Sequence, residues 1–509
     1  MRPASPSTRR WVPGNYALFP GWPVIALLAG VLGIYLLLMF GGPFVVLLTA
    51  PLLAAPVAFI IWRRIYASLV LLVVLGAIHP FVMLLLFSMT QSSTIVKGAQ
   101  LWKEVVVLVL LLRGVEWAFT KRFTPKVYFL DLLIGLFLVY AAMYVFMPSS
   151  LADSTMQSRI FGFRADTFFL FAYFVARAVP ITVKQVRRLI IVYCVISLII
   201  SVIAGLQFLM PQASNEMLET LGFSKYLELQ RGDETVSVAV RSSHFEGVAI
   251  PRASSLLLSD LALAFYSLTS VPVAAAVLVT VHTFRERLFA NVFLLASLAT
   301  TLFTVTRSAI VALGPMLTLA LLRPRGIPVA FLIALQITAV LVPAMASLNI
   351  TLDLLPTMFS PQEGSISAHS AAVTLSIETI QAEPLGRGLG TAGQSAQRLG
   401  VAEGITSESW YLHLGLEMGV VAAISWFAIL LTFGILALIR YTQVRDPWLK
   451  ALCLGMAGST AGYGFVSATL QAWEGLTTSI IFWLLAGLVM RAQALEKEET
   501  DPDTARLLL

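Results

Sequence analysis

Apolar stretches long enough to cross a bilayer, which takes about 20 residues in a helix, recur along nearly the whole chain with short polar breaks between them. The pattern predicts about fourteen spans, near 22–40, 43–62, 65–88, 102–120, 127–147, 166–180, 189–209, 255–281, 288–306, 308–322, 327–346, 411–439, 450–468 and 475–491. The first follows Arg2, Arg9 and Arg10 as a signal peptide would, but no small-residue cleavage site comes after it. The next apolar run starts directly behind Gly41 and Gly42, so a retained helical hairpin is expected. Three stretches break the pattern with Ser, Gly, Pro and charge: 148–166, 210–254 and 347–410.

Composition agrees with this reading. Apolar residues make up 58% of the 509 and charged residues only 12%, against about a quarter charged in soluble domains. The expectation is an all-α, polytopic integral membrane protein: a transmembrane region over 22–491, a cytoplasmic segment 1–21 and an acidic cytoplasmic tail 492–509. The two cysteines, Cys194 and Cys453, both fall inside apolar spans. That leaves no CxxC, no zinc spacing and no disulfide framework.

Basic residues orient the spans. With the N-terminus in the cytoplasm, Arg63 and Arg64, Lys121 and Arg122, Lys184 with Arg187 and Arg188, Arg285 and Arg287, Arg323 and Arg325, and Arg440 with Arg445 all fall on the cytoplasmic side. The residues left outside are Lys97, Lys103, Arg159, Arg164, Lys225, Arg231, Arg241, Arg252, Arg307, Arg387 and Arg398. All three polar stretches are then outer loops, the largest, 347–410, between the eleventh and twelfth spans. A site built from them faces the periplasm or cell exterior, where nucleotide cofactors are scarce. A bacterial inner membrane fits this layout, both termini being cytoplasmic.

The outer loop contains GRGLGTAG, in which Gly388, Gly390 and Gly393 spell GxGxxG. A dinucleotide site needs a strand before those glycines and a helix after them. Here the helical-looking SAAVTLSIETIQAE precedes them and the compartment is wrong. The alternatives left are a purely structural turn and a turn behind Pro384 that carries Arg387 and backbone amides to an anion. Asp501 and Asp503 resemble a metal-binding DxD, but lie in the acidic run EKEETDPD, read as solvated disorder.

TVTRSAIVALGPM, PRASSLLLSDLALAFYSL and PLGRGLGTAG followed by TSESWYLHLGLEMGVVA together resemble the O-antigen ligase and O-antigen polymerase (Wzy) superfamily, over roughly residues 100–440. The resemblance implies a GT-C type glycosyltransferase. It would use an undecaprenyl-pyrophosphate-linked glycan as donor and a second glycan as acceptor, and need no metal or cofactor. Arg252 and Arg307 match the family's two arginines, and Arg164 stands at a third position. Ligases of the family carry His-Asn before the Tyr-Leu, whereas Glu408 and Ser409 stand here, which favours the polymerase branch. Implied partners are membrane lipids, a flippase and a chain-length regulator, with no nucleic acid. Ligase and protein O-oligosaccharyltransferase activities use the same donor and differ in acceptor.

The chemistry needs cations for the departing pyrophosphate and a base for the attacking hydroxyl. Guanidinium groups bind phosphate oxygens bidentately and stay charged when desolvated, so Arg164, Arg252 and Arg307 are candidates, with Arg159 and Arg387 as further donor-binding residues. Glu408 or His369 is the expected base. Each also has a plain structural reading: Arg252 as the partner of Asp260, Arg307 as a snorkelling residue at a tight turn, Glu408 as a helix-start charge, and His369 as a solvated or capping residue. Lys103, Glu104 and Asp131 are polar residues at membrane depth and hence functional suspects. His79, His282 and His413 read as packing residues, and His244 has no assignment. Fourteen spans with buried charges also describe a solute transporter, although such folds usually show internal repeats and none is evident here.

Overall fold

The computed structural model describes residues 58–500 apart from 121–125, 148–153, 232–239, 246–247, 323–325, 348–363, 394–395, 397–400, 402–404 and 406. The predicted span 22–40, most of 43–62, and Asp501 and Asp503 lie outside the described residues. What is described is helical except for one two-stranded hairpin. In chain order the helices are α1 (Ile65–Thr90), α2 (Ser93–Ala99), α3 (Trp102–Phe119), α4 (Phe129–Phe146), α5 (Met156–Thr167), α6 (Leu170–Ala178), α7 (Val183–Leu209), α8 (Pro211–Thr220) and α9 (Phe223–Arg231). The hairpin β1 (Arg241–Phe245) and β2 (Val248–Arg252) follows. Then come α10 (Asp260–Thr280), α11 (Phe284–Phe303), α12 (Arg307–Val311), α13 (Leu313–Leu321), α14 (Gly326–Ser347), α15 (Gly364–Ala382), α16 (Trp410–Gln443), α17 (Pro447–Val466) and α18 (Leu476–Thr500).

Among the described residues, seven helices are long and apolar enough to cross a membrane: α1, α4, α7, α10, α11, α16 and α18 as far as Glu498. The predicted span 166–180 is divided between α5 and α6, and 308–322 between α12 and α13. The hairpin qualifies the all-helical expectation. It falls in the predicted loop 210–254, where β-branched and polar residues replace the continuous apolar run.

Two spans, α10 and α18, are almost wholly interior, whereas the others present large apolar side chains such as Leu136, Val202 and Ile424 outward. In lipid, helices gain little from hiding apolar surface from one another, so close approach over small residues has to supply the packing. That is how α17 is seated. A Cβ on Gly455 would come within 2.7 Å of Val273 Cα, and one on Gly458 within 2.5 Å of the Met316 carbonyl and 2.9 Å of Pro272 Cβ. Farther along, the Tyr463 hydroxyl donates to the Phe265 carbonyl at 2.9 Å. Above these contacts Phe169, Trp410, Trp426, Trp473 and Trp483 pack ring on ring.

The bundle sorts its charges to its two ends. At one end Arg187 pairs with Glu286 at 2.9 Å, Trp448 Nε1 donates to the same carboxylate, and Glu496 accepts from the backbone amides of Arg445 and Asp446. These are residues that the charge alternation assigns to the cytoplasmic side. Residues 492–500 of the expected acidic tail continue α18, with Ala492 and Leu495 buried, so the start of EKEETDPD is helical. Asp131 serves the fold: it caps α4 by accepting from Tyr128 N at 2.7 Å and pairs with Arg177 at 3.0 Å.

Candidate functional site

At the other end, β2 delivers Arg252 to the start of α10, where its guanidinium meets Asp260 at 2.6 Å. Asp260 is buried just behind the N-cap residue Ser259. Arg252 Nε also donates to the Thr304 carbonyl at 3.1 Å and a terminal nitrogen to Thr306 Oγ1 at 3.3 Å. Arg307 follows directly and opens α12. The two predicted arginines are therefore held by one turn, residues 304–307.

That turn is strained. Val305 has φ +51°, and Ser255 and Leu258, between Arg252 and Asp260, have φ +51° and +54°. Left-handed backbone is unfavourable for any residue with a side chain, and most so for a β-branched one. Of the four non-glycine residues with positive φ among those described, three lie in these two segments. Such strain persists where surrounding contacts over-determine the backbone, commonly at functional sites. Here Ser254 and Ser255 amides donate to Gln207 Oε1 at 3.0 and 2.6 Å, and the Ala253 amide donates to the Phe303 carbonyl at 2.9 Å.

The hairpin register adds a residue that the motif comparison passed over. Arg241 stands directly opposite Arg252 in the antiparallel pair, so the two side chains leave the same face of the ribbon, Arg241 exposed. Like charges directly opposite one another destabilise a hairpin, and an anion between them removes that cost. On the opposite face of the ribbon, the one that carries Ser242 and Pro251, lies a cavity of about 330 Å³ also lined by Gln212 and Asn215.

The two candidate bases are in contact: His369 Nδ1 lies 3.0 Å from Glu408 Oε2, both groups partly exposed. Ser409 caps α16 by accepting from Leu412 N, and its hydroxyl donates to the Ser467 carbonyl at 2.9 Å. The Trp410 amide donates to Ser467 O as well. Extending the antiparallel α10–α17 register from Tyr463 and Phe265 brings Asp260 to the level of this same Ser467–Leu470 turn. The arginine pair and the Glu408–His369 pair thus share one end of the bundle.

The other predicted donor-binding residues are engaged elsewhere. Arg164 Nε donates to Glu104 Oε1 at 3.0 Å, and Lys103 lies 3.8 Å from the same oxygen, so three suspects form one half-buried charge cluster. Arg159 donates to the Met147 carbonyl. Arg387 pairs with Glu383 at 2.9 Å.

The first amides of the glycine turn are committed to helix α16. Helix α16 is broken at Gly419 (φ +79°, ψ 178°), which exposes backbone groups that nothing in lipid could satisfy. The turn satisfies them: Arg387 N donates to Leu416 O at 2.7 Å, Gly388 N to Glu417 O at 2.9 Å, and Val420 N to Pro384 O at 3.1 Å. Tyr140 completes the set by donating to Met418 O at 2.8 Å. Leu389, Thr391 and Ala392 are buried. Of the two readings left open for this segment, the structural one describes Arg387 N and Gly388 N.

His413, read from the sequence as a packing residue, is buried and stacks on Trp410, and it also has acidic partners. Its Nε2 lies 3.1 Å from Asp166 Oδ1 and 4.0 Å from Glu417 Oε1, all three buried. Glu417 Oε1 also accepts from Ala392 N at 3.1 Å. Half the signal was in the sequence, since HLGLE puts His413 and Glu417 four residues apart on one helical face. Asp166 is 247 residues away from His413, and no local spacing announces it.

The chain matches no family model, and no curated protein matches it.

Proposed function

We propose that the chain is a membrane glycosyltransferase that extends a polysaccharide by moving a glycan from a polyprenyl-pyrophosphate donor to an acceptor sugar hydroxyl, outside the cytoplasm. The observation that carries the reading is Arg252, held between Asp260 and the strained turn that opens with Thr304 and ends at Arg307, with Arg241 on its other flank. In the reaction the acceptor oxygen attacks the anomeric carbon and the bond from that carbon to the pyrophosphate oxygen breaks. The electron pair leaves with the pyrophosphate. Arginines preorganised where that charge develops lower the barrier, because they need no rearrangement at the moment of reaction.

The acceptor proton goes to Glu408, which His369 orients at 3.0 Å. The resemblance of PRASS, TVTRS and TSESWYL to the O-antigen polymerase and ligase superfamily supports the same donor class. Purified protein given a lipid-pyrophosphate oligosaccharide is expected to yield longer lipid-linked chains, and Arg252→Ala and Arg307→Ala to abolish them. Undiminished elongation in both variants refutes the arginine mechanism. Uptake of labelled solute into liposomes without any glycan product assigns the protein to transport instead.

A further inference from the structure

We propose that Asp166, His413 and Glu417 bind one divalent transition-metal cation, of the Mn²⁺ or Zn²⁺ class, that fastens α5 to α16. One ligand atom from each of the three residues falls within a sphere where all pairs are at most 4.8 Å apart. The second oxygen of each carboxylate, Asp166 Oδ2 and Glu417 Oε2, is buried with no hydrogen-bond donor, as is His413 Nδ1. Carboxylate oxygens left bare in a dry interior are costly, and two of them beside an imidazole whose Nε2 faces both side chains call for a positive centre.

Charge and geometry both suit such an ion. Two carboxylates and a neutral imidazole balance a divalent cation. Ligands at about 2.1 Å from one metal stand roughly 3 to 3.4 Å apart, so the 3.1 Å Asp166–His413 separation already fits and Glu417, at 4.0 Å, has under about 1 Å to move. One nitrogen with carboxylate oxygens favours Mn²⁺, Fe²⁺ or Zn²⁺ over an all-oxygen Mg²⁺ or Ca²⁺ site. Around the ligand atoms, the Ala392 amide fixes Glu417 at 3.1 Å, and His413 stacks on Trp410 with ring centroids 5.0 Å apart. Gly393 leaves room beside His413 Nδ1 and the Gln471 amide, each of which would be 3.1 Å from a Cβ there.

The placement gives the ion a positioning role and no contact with substrate. Asp166 lies two residues after Arg164 on α5, and His413 one turn into the helix that Glu408 precedes. Tying these helices holds the start of α16, with Glu408 just ahead of it, against α5 without the cation entering the reaction.

The test uses full-length protein in lipid nanodiscs, stripped with a chelator and titrated with Mn²⁺ alone, read by electron paramagnetic resonance and elemental analysis. One tightly bound Mn²⁺ per chain, competed by Zn²⁺, is expected, together with a rise in melting temperature. Glu417→Gln and His413→Gln should lose the ion, while the exposed His282→Gln keeps it. His413→Cys should shift preference toward Cd²⁺, which distinguishes ligation from a collapsed fold. No stoichiometric uptake by the unsubstituted chain overturns the proposal and assigns the site to a proton shared between Asp166 and Glu417. Uptake unchanged in Glu417→Gln overturns it too. Neither readout depends on glycan transfer, so the metal and the polymerase reading fail separately.

Discussion

Glu408 and His369 meet at 3.0 Å across the junction of α15 and α16, a carboxylate just ahead of a capped helix and an imidazole from the helix packed beside it. Both were candidate bases, and on the proposed reading the carboxylate takes the proton and the imidazole orients it. Glu408→Gln should lower the rate of elongation by about 10²–10⁴-fold, the usual contribution of a positioned general base. His369→Gln keeps a hydrogen-bonding group and should cost only about tenfold. Equal losses in the two variants, measured as product chain length against time, would reverse the assignment.

Arg252 poses a different question, because its pairing with Asp260 fits a structural residue as well as a catalytic one. Arg252→Ala leaves a buried carboxylate without its partner, which costs about 1–3 kcal/mol and confounds any activity loss. The double variant Arg252→Ala with Asp260→Asn removes the stranded charge. It should recover most of the melting temperature while transfer stays about 10²–10³-fold down, the loss typical of deleting one electrostatic stabiliser. Recovery of activity along with stability would reduce the pair to architecture.

Arg241, opposite Arg252 on the exposed edge of the hairpin, should act in donor capture and not in bond breaking. Arg241→Ala is expected to raise the KM for the lipid-pyrophosphate donor about five- to tenfold with kcat within about threefold, since uniform binding is what such a change removes. Surface electrostatics are screened by salt, so the unsubstituted protein should lose donor affinity at high ionic strength more steeply than the variant. An equal salt dependence would sink the idea.

Membrane character and the position of most helices were legible in the sequence, because hydropathy and charge alternation are local signals. The junction at Phe168 and Phe169, splitting one predicted span into α5 and α6, was not: apolar residues run through it, and only tertiary packing of Phe169 among tryptophans marks the site. Arg252 and Asp260 could be paired in advance, being eight residues apart. Arg164 with Glu104 and His413 with Asp166 could not, since those contacts close over 60 and 247 residues and depend on which helices become neighbours. The spacing of the glycine turn reports only a backbone that approaches something closely: Gly390 meets the Ser158 carbonyl, Gly393 the side chains of Gln471 and His413, and Gly386, just ahead of the motif, meets Gly419.

That contact yields the sharpest test of the fold. Gly386 and Gly419 have φ +81° and +79°, and a Cβ on either would lie 2.5 Å from backbone of the facing segment, Gly419 N in one case and Pro384 O in the other. With ψ 178°, Gly419 also occupies a region essentially closed to other residues. Gly386→Ala and Gly419→Ala should each destabilise the protein by about 2–3 kcal/mol, combining backbone strain of about 1–3 kcal/mol with loss of the hydrogen bonds that mend α16. Because both act on one contact, the double variant should fall short of the sum by more than about 0.5 kcal/mol. Gly135, inside α4 with open space around its Cβ position, supplies the control: Gly135→Ala should leave the melting temperature unchanged or raise it, as alanine does in a helix. Thermal melts of the four variants in one detergent decide the matter, and additive losses at 386 and 419 would mean that the two glycines do not form a single joint.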